Sequence, residues 1–590
     1  MMRFLLCLAL AGCNGAAPPP GSGPASVAPP REQLLRLVER YWDERLPEDL
    51  DIAPQFLADS LAVERRFLVE IAAIPREPLD EESRLTYDIF KAQREMRIEG
   101  FTYPSELLPV NPFSGEPLEL AATAALIGRR PLTTAAQYED WLRQIERDVR
   151  WAQQAIVNLR DGMRRGYTVP RALILRMLPI LQSLGADERD NVFRLALRSM
   201  PAGIKDGSRA ELFKRLEDAT QRLLSANRAL HDFLQTDYLP HARSGLGLSE
   251  LPLGGSWYAY RIRRATGSHL TATDIHRLGL AEVERLRARI APLRAAAAAP
   301  VPGAPPAAPQ GMTGSSTGSP GGLASGAPPD TSTGSPNGSP TGVPLDMYAQ
   351  AGAQIAMLLP ALFAAAPGDD LVFAAGGFLR DPGSSLVYRA GRTAGHVPGI
   401  IFVAPETGRS AVVMADFLQT AVPGRHYQDA IAQGRLDLPR FRRYDAEPAF
   451  VAGWGLYAAS LGEELGVYAD DAAKLAAGLA QMRCAAALVV DTGLHAFDWT
   501  RAQALDYLHA QAGIQDPEAQ QLVDGYAAMP GDALACKIGE LGIQALRTRA
   551  QQQLGERFDV RQFHAAILNG GAMPLGLLES RIKRWIEAVP

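Results

Sequence analysis

Gln419-Thr420-Ala421-Val422-Pro423-Gly424-Arg425-His426-Tyr427-Gln428, with Ala452-Gly453-Trp454-Gly455-Leu456-Tyr457-Ala458-Ala459 downstream, are the two segments from which the architecture can be worked out. Just before the Pro-Gly pair lie three short runs bounded by Gly and Pro: Leu371-Val372-Phe373, Ile400-Ile401-Phe402-Val403 and Ala411-Val412-Val413-Met414. Their β-branched and aromatic content predicts one small sheet there. Helical periodicity dominates elsewhere. Tyr138, Trp141, Leu142, Ile145 and Val149 recur at helical spacing, as do Leu34, Leu35, Val38 and Trp42, and both sets read as core stripes, not cofactor boxes. Thr271 and Asp274 form a capping-box pattern ahead of the amphipathic series Ile275, Leu278, Glu282, Val283 and Leu286. The expected fold class is therefore mostly α with one small β-sheet near the Pro-Gly segment.

The first residues specify an address. Arg3 precedes an apolar run from Phe4 to Ala11 that is too short to span a bilayer, and Leu10-Ala11-Gly12-Cys13 has the form of a lipobox. Residues 1–12 then form a lipoprotein signal peptide, with Cys13 as the lipidated residue; an ordinary signal peptide is the alternative. Residues 13–30, rich in Pro, Gly, Ala and Ser, read as a flexible tether. No later apolar run has the length of a transmembrane helix. The expected place is the bacterial cell envelope, lipid-anchored. Asn14, where Asp commonly signals inner-membrane retention, favours the outer membrane, as the likeness to sorted lipoproteins implies.

At 590 residues, 47% hydrophobic, the chain can bury one large core or two domains. Its formal charge of −5 lacks the basic excess expected of a nucleic-acid partner. With Cys7 removed and Cys13 acylated, only Cys484 and Cys536 remain of four cysteines; they form either a disulfide or two buried thiols. Residues 296–344, dominated by Ala, Pro, Gly, Ser and Thr, repeat Thr317-Gly318-Ser319-Pro320 at Thr333-Gly334-Ser335-Pro336. With almost no large apolar side chains, this insert is expected to be disordered. It separates a helical part, 31–295, from a C-terminal part, 345–590.

Several further segments carry a resemblance: Ser256 to Ile290, Val490-Asp491-Thr492-Gly493-Leu494-His495, Pro530 to Gly539 and Phe558 to His564. Together with the Pro-Gly segment, and in this order, they resemble an uncharacterised family of bacterial lipoproteins grouped with gluzincin-type zinc peptidases. The likeness spans roughly residues 35 to 590 apart from the insert and implies a zincin-like helical fold. In such proteins the Pro-Gly segment reads His-Glu-x-x-Pro-Gly-His-His-x-Gln, and the next helix begins Glu-Gly-Trp-Ala-Leu-Tyr-x-Glu. Imidazoles and carboxylate hold Zn²⁺, and the Glu beside the first His takes a proton from metal-bound water.

Set in that register, this chain departs at the chemistry and keeps the packing. Gln419 stands at the first His, Thr420 at the general base, Arg425 at the first His after Gly, and Ala452 and Ala459 at the two Glu positions. Cys536 stands where the family commonly has Tyr, and Gly525 where it often has Arg. Alanine offers no lone pair, and the permanent charge of Arg425 opposes a divalent cation. Accordingly no catalytic residue, no metal ligand and no cofactor is expected. The remaining candidate cleft residues are Arg425, His426, Gln428, Trp454, Tyr457, Asp491, His495 and Lys537.

The nine histidines include no pair closer than His269 and His276, which excludes a two-His metal helix. His426, His495, Asp491, Glu463 and Glu464 could meet only through tertiary folding. Taken one by one they read as a surface or core His, a helix-cap Asp and solvated helix charges. There is no G-x-S-x-G elbow, P-loop or G-x-G-x-x-G. Cys536 and His564 make a weak case for a thiol nucleophile. The expectation is a lapsed zinc-peptidase-like envelope lipoprotein, a pseudoenzyme, anchored in the membrane by its lipid. It would bind a peptide-like ligand or a protein partner through the former cleft. A metallohydrolase with a rearranged site and a purely structural spacer are the competing readings.

Overall fold

The computed structural model describes residues 28–46, 51–201, 203–204, 206–298, 345–364, 371–375, 386–392, 397–403 and 414–590. The signal peptide, Cys13 and nearly all of the tether lie outside them, as does the insert beyond Ala298. The helix Ala272–Ala298 runs three residues past the boundary expected at 295. Helices dominate, as periodicity predicts. Thr271 opens the Ala272–Ala298 helix with a reciprocal cap: its Oγ1 accepts from Asp274 N at 3.2 Å while Asp274 Oδ2 accepts from Thr271 N at 3.1 Å.

The sheet has three strands, β1 (Leu371–Ala375), β2 (Leu386–Arg389) and β3 (Gly399–Val403), in the order β1-β3-β2. β1 pairs parallel to β3 with Leu371 opposite Gly399, and β2 pairs antiparallel with Leu386 opposite Val403. Two of the three expected runs are strands. Of the third, 411–413 lies outside the described residues, and Met414 opens a helix, Met414–Thr420, because the apolar residues that follow it recur at helical spacing and are buried. β2 is an additional strand.

One core joins sequence-distant parts. Leu34, Phe67 and Phe90 from the first helices pack in the same cluster as Trp454, Phe563 and Ile582. Trp42 departs from the expected stripe: it is only partly buried, with Arg45 stacked 3.4 Å over its ring. The helix Pro448–Ser460, with Pro at its first turn, is apolar all round, and residues 453–459 are buried without a break. It crosses the helix Leu534–Leu554 backbone to backbone. A Cβ on Gly453 would fall 2.4 Å from the Gly539 Cα, and one on Gly539 only 1.8 Å from the Ala449 carbonyl oxygen.

Contrary to the expectation that no later apolar run has the length of a transmembrane helix, the helix Asp471–Ala496 is long and apolar enough to cross a membrane by composition, at mean hydropathy 1.4. Here it is a core helix, buried nearly continuously from Ala485 to His495. Cys484 on it is disulfide-bonded to Cys536 on the Leu534–Leu554 helix, which resolves the alternative left open by sequence. The same bond removes Cys536 as a thiol nucleophile.

Candidate functional site

The Pro-Gly turn is held from behind. The Val422–Pro423 peptide is cis, and Pro423 O accepts from Trp454 Nε1 at 2.9 Å, a buried bond of the kind that contributes about 1 kcal/mol net. Gly424 then caps the helix Arg425–Gly434. Gln419 and Arg425 meet at the neighbouring helix: a Cβ built on Gly455 would stand 2.9 Å from Gln419 O, 3.3 Å from Gln419 Cγ and 3.5 Å from Arg425 Cγ. Ala452 lies one turn earlier on the same helix. Thr420 and Ala459 are buried.

These residues do not suit zinc. An amide, a hydroxyl, a guanidinium and two methyl groups stand here, and zinc is bound by imidazoles, thiolates and carboxylates. Among the described residues no group of three or more His, Cys, Asp or Glu side chains is placed to hold a metal ion.

Of the candidate cleft residues, Arg425 and Gln428 line an open cavity. It measures about 1020 Å³ and runs along the 425–434 helix, between Trp42 and Arg45 on one side and Tyr388 to Arg392 on the other. Gln428 is 3% exposed, and its amide oxygen has no hydrogen-bond partner. His426 is a core histidine. Its Nδ1 lies 3.4 Å from the Tyr388 hydroxyl and against Gly399, where a Cβ would intrude to 2.8 Å. Tyr388 also hydrogen-bonds to Asp429. Burial pushes the Asp429 carboxyl up to about 6, against the opposing pull of Arg425 and the Tyr388 hydroxyl.

The other candidates sit elsewhere in the core. Trp454 serves the turn. Tyr457 donates to His564 Nε2 at 2.8 Å, while His564 Nδ1 donates to Leu362 O at 2.8 Å. Asp491 is not a helix cap: it is buried late in the 471–496 helix, where it accepts from the Tyr258 hydroxyl at 2.5 Å and from Gly531 N at 3.1 Å. Desolvation raises its carboxyl to about 7. His495 accepts from Leu248 N and donates to Tyr526 O, both at 3.0 Å. Lys537, fully buried, bonds Gln481 and, at 2.6 Å, Glu540. Glu463 and Glu464 are not helical; they lie in the turn after Ser460, paired with Arg289 and Arg547.

Burial holds His495 at about 3 and His564 at about 4, below the ordinary imidazole value. Each therefore folds neutral. Its contribution to stability is fully present above pH 6.5 and is lost as pH falls toward the folded value. Replacing His564 with Phe removes that term. Between pH 7.5 and 5 the stability gap between wild type and H564F should narrow by roughly 2 kcal/mol, measured by urea unfolding. A gap independent of pH contradicts the neutral assignment.

Sequence reading missed the basic wall of the cavity: Arg45, Arg389, Arg392, Arg440, Arg442 and Arg443 join Arg425 there. The run Arg440-Phe441-Arg442-Arg443-Tyr444 was its visible signal.

The fold recurs in solved structures. One protein, described as a lipoprotein from Colwellia psychrerythraea, superposes with a TM-score of 0.78 at 20% identity, covering 95% of this chain and all of the other. A second, described as a lipoprotein of unknown function from Shewanella oneidensis, gives 0.61 at 15% identity, over 93% of this chain and 97% of the other. No curated protein matches the sequence. Residues 38–582 match a family of bacterial proteins of unknown function, DUF885, across nearly the whole folded part, and the chain belongs to that family.

Proposed function

We propose that this protein is a catalytically lapsed relative of zinc peptidases, lipidated at Cys13, which works in the cell envelope by binding a ligand in the cleft beside the former metal site. The observation that carries this reading is the meeting of Gln419 and Arg425 at Gly455, next to Ala452. Gln419 and Arg425 stand in the register of two metal-binding imidazoles of such peptidases, and an amide and a guanidinium cannot do that chemistry. Meanwhile the packing around them is kept, with Trp454 bonded to the Pro-Gly turn and Gly453 seated on Gly539. The lipobox at Cys13 and the description of both structural neighbours as lipoproteins support the envelope assignment.

The test is hydrolysis. Purified protein incubated with a mixed peptide library, with and without added Zn²⁺, should leave the library intact. Turnover abolished by a chelator would overturn the reading.

A further inference from the structure

Seven arginines line the cavity along the 425–434 helix, against two carboxylates, Asp429 and Asp445. Four of the seven are neutralised. Arg45 pairs with Asp445 at 2.6 Å, Arg389 with Glu119, Arg440 with Glu39 and Asp43, and Arg442 with Glu82 at 2.5 Å. Arg425, Arg443 and Arg392 remain, and among the described lining residues Asp429 is the carboxylate left beside them. Arg443 donates to neutral oxygens, the Gln433 carbonyl at 2.8 Å and the Tyr444 hydroxyl at 3.4 Å. Arg425 leaves its buried Nε without a hydrogen-bond partner.

Guanidinium groups gathered in a partly enclosed space repel one another, and for the partly buried Arg425 and Arg443, though not for the exposed Arg392, an unpaired donor also costs stability. An oxyanion offsets both, because the planar fork matches carboxylate and phosphate oxygens two at a time. At about 1020 Å³ the space is far larger than one inorganic ion needs and lies at the upper end of small-molecule sites. Trp42 and Tyr444 supply aromatic wall for the body of such a molecule.

We propose that this cleft binds a small ligand carrying two or more oxyanion groups, gripped by Arg425, Arg443 and Arg392. The proposal rests on the cleft being the working site, and it adds the chemistry of the occupant. Phosphoryl and carboxylate groups share that chemistry, so two probes separate them.

Titration calorimetry on the full-length chain in neutral detergent, with inorganic pyrophosphate and with citrate, should show binding at one site per chain for at least one of them. Binding of pyrophosphate alone identifies phosphoryl groups, and of citrate alone carboxylates. Arg425→Gln and Arg392→Gln should each weaken that binding at least tenfold. Arg36→Gln, on a side chain 71% exposed in the first helix, should leave it unchanged. Raising NaCl from 0.05 to 0.3 M should weaken it as well. Loss in neither variant, with wild-type melting temperatures, overturns the proposal, as does failure of both anions to bind below 1 mM. Penta-alanine separates the two levels. If it binds while both anions fail, the cleft is a binding site and the oxyanion assignment is wrong; if none of the three binds, both readings fall.

Discussion

Gly539→Val should destabilise the protein by at least about 3 kcal/mol, among the largest effects expected of any single substitution here. The reason is backbone, not side chain. The Leu534–Leu554 and Pro448–Ser460 helices touch where Gly539 meets Gly453, and a Cβ at residue 539 would lie 1.8 Å from Ala449 O and 2.7 Å from Gly453 Cα. No rotamer change relieves contact with a carbonyl oxygen. The helices would have to part, pulling Trp454 away from Pro423 O and with it the rear support of the Pro-Gly turn. Gly539→Ala provides a graded version that carries the same clash with less bulk. Urea unfolding of both variants checks the claim, and a loss below 1 kcal/mol in both would contradict the observed crossing.

Breaking the Cys484–Cys536 bond should cost about 4 kcal/mol on the chain-entropy view, since it closes a loop of 52 residues in the unfolded chain. The bond ties two buried helices at the centre of the molecule. Its loss acts mainly by loosening the unfolded state, so the folded structure should survive. The double variant Cys484→Ser, Cys536→Ser should unfold at a clearly lower urea concentration than wild type, and reduced wild type should fall with it. Equal midpoints for oxidised and reduced protein would show the cysteines unpaired in solution. The bond also fits an oxidising compartment.

Much of the fold was legible because local physics wrote it. Period 3.6 marked Tyr138 to Val149, and Thr271 with Asp274 marked a helix start that the structure reproduces atom for atom. β2 went unread because Leu386-Val387-Tyr388-Arg389 is too short for alternation to show, and Ala411 to Met414 looked like a strand because β-branched runs are ambiguous at that length. The site was harder to read. Register to Pro423-Gly424 drew attention to Gln419 and Arg425, and both lie against Gly455 of the 448–460 helix. Asp491, His495 and Lys537 look chemical in sequence, but each is a satisfied core group. Only tertiary contacts reveal that. The arginine wall escaped for the opposite reason: Arg45, Arg392, Arg425 and Arg443 come from separate segments, and no local spacing predicts their meeting.

Loss of the zinc site is the proposal on which the functional reading stands. Its most direct test is the metal content of the protein purified without chelators or a histidine tag, by mass spectrometry of the elements. Zinc and other transition metals should lie far below one per chain, with no gain after dialysis against Zn²⁺. About one tightly held ion per chain, the occupancy of a mononuclear site, would contradict it and make this protein a metalloenzyme with a rebuilt centre.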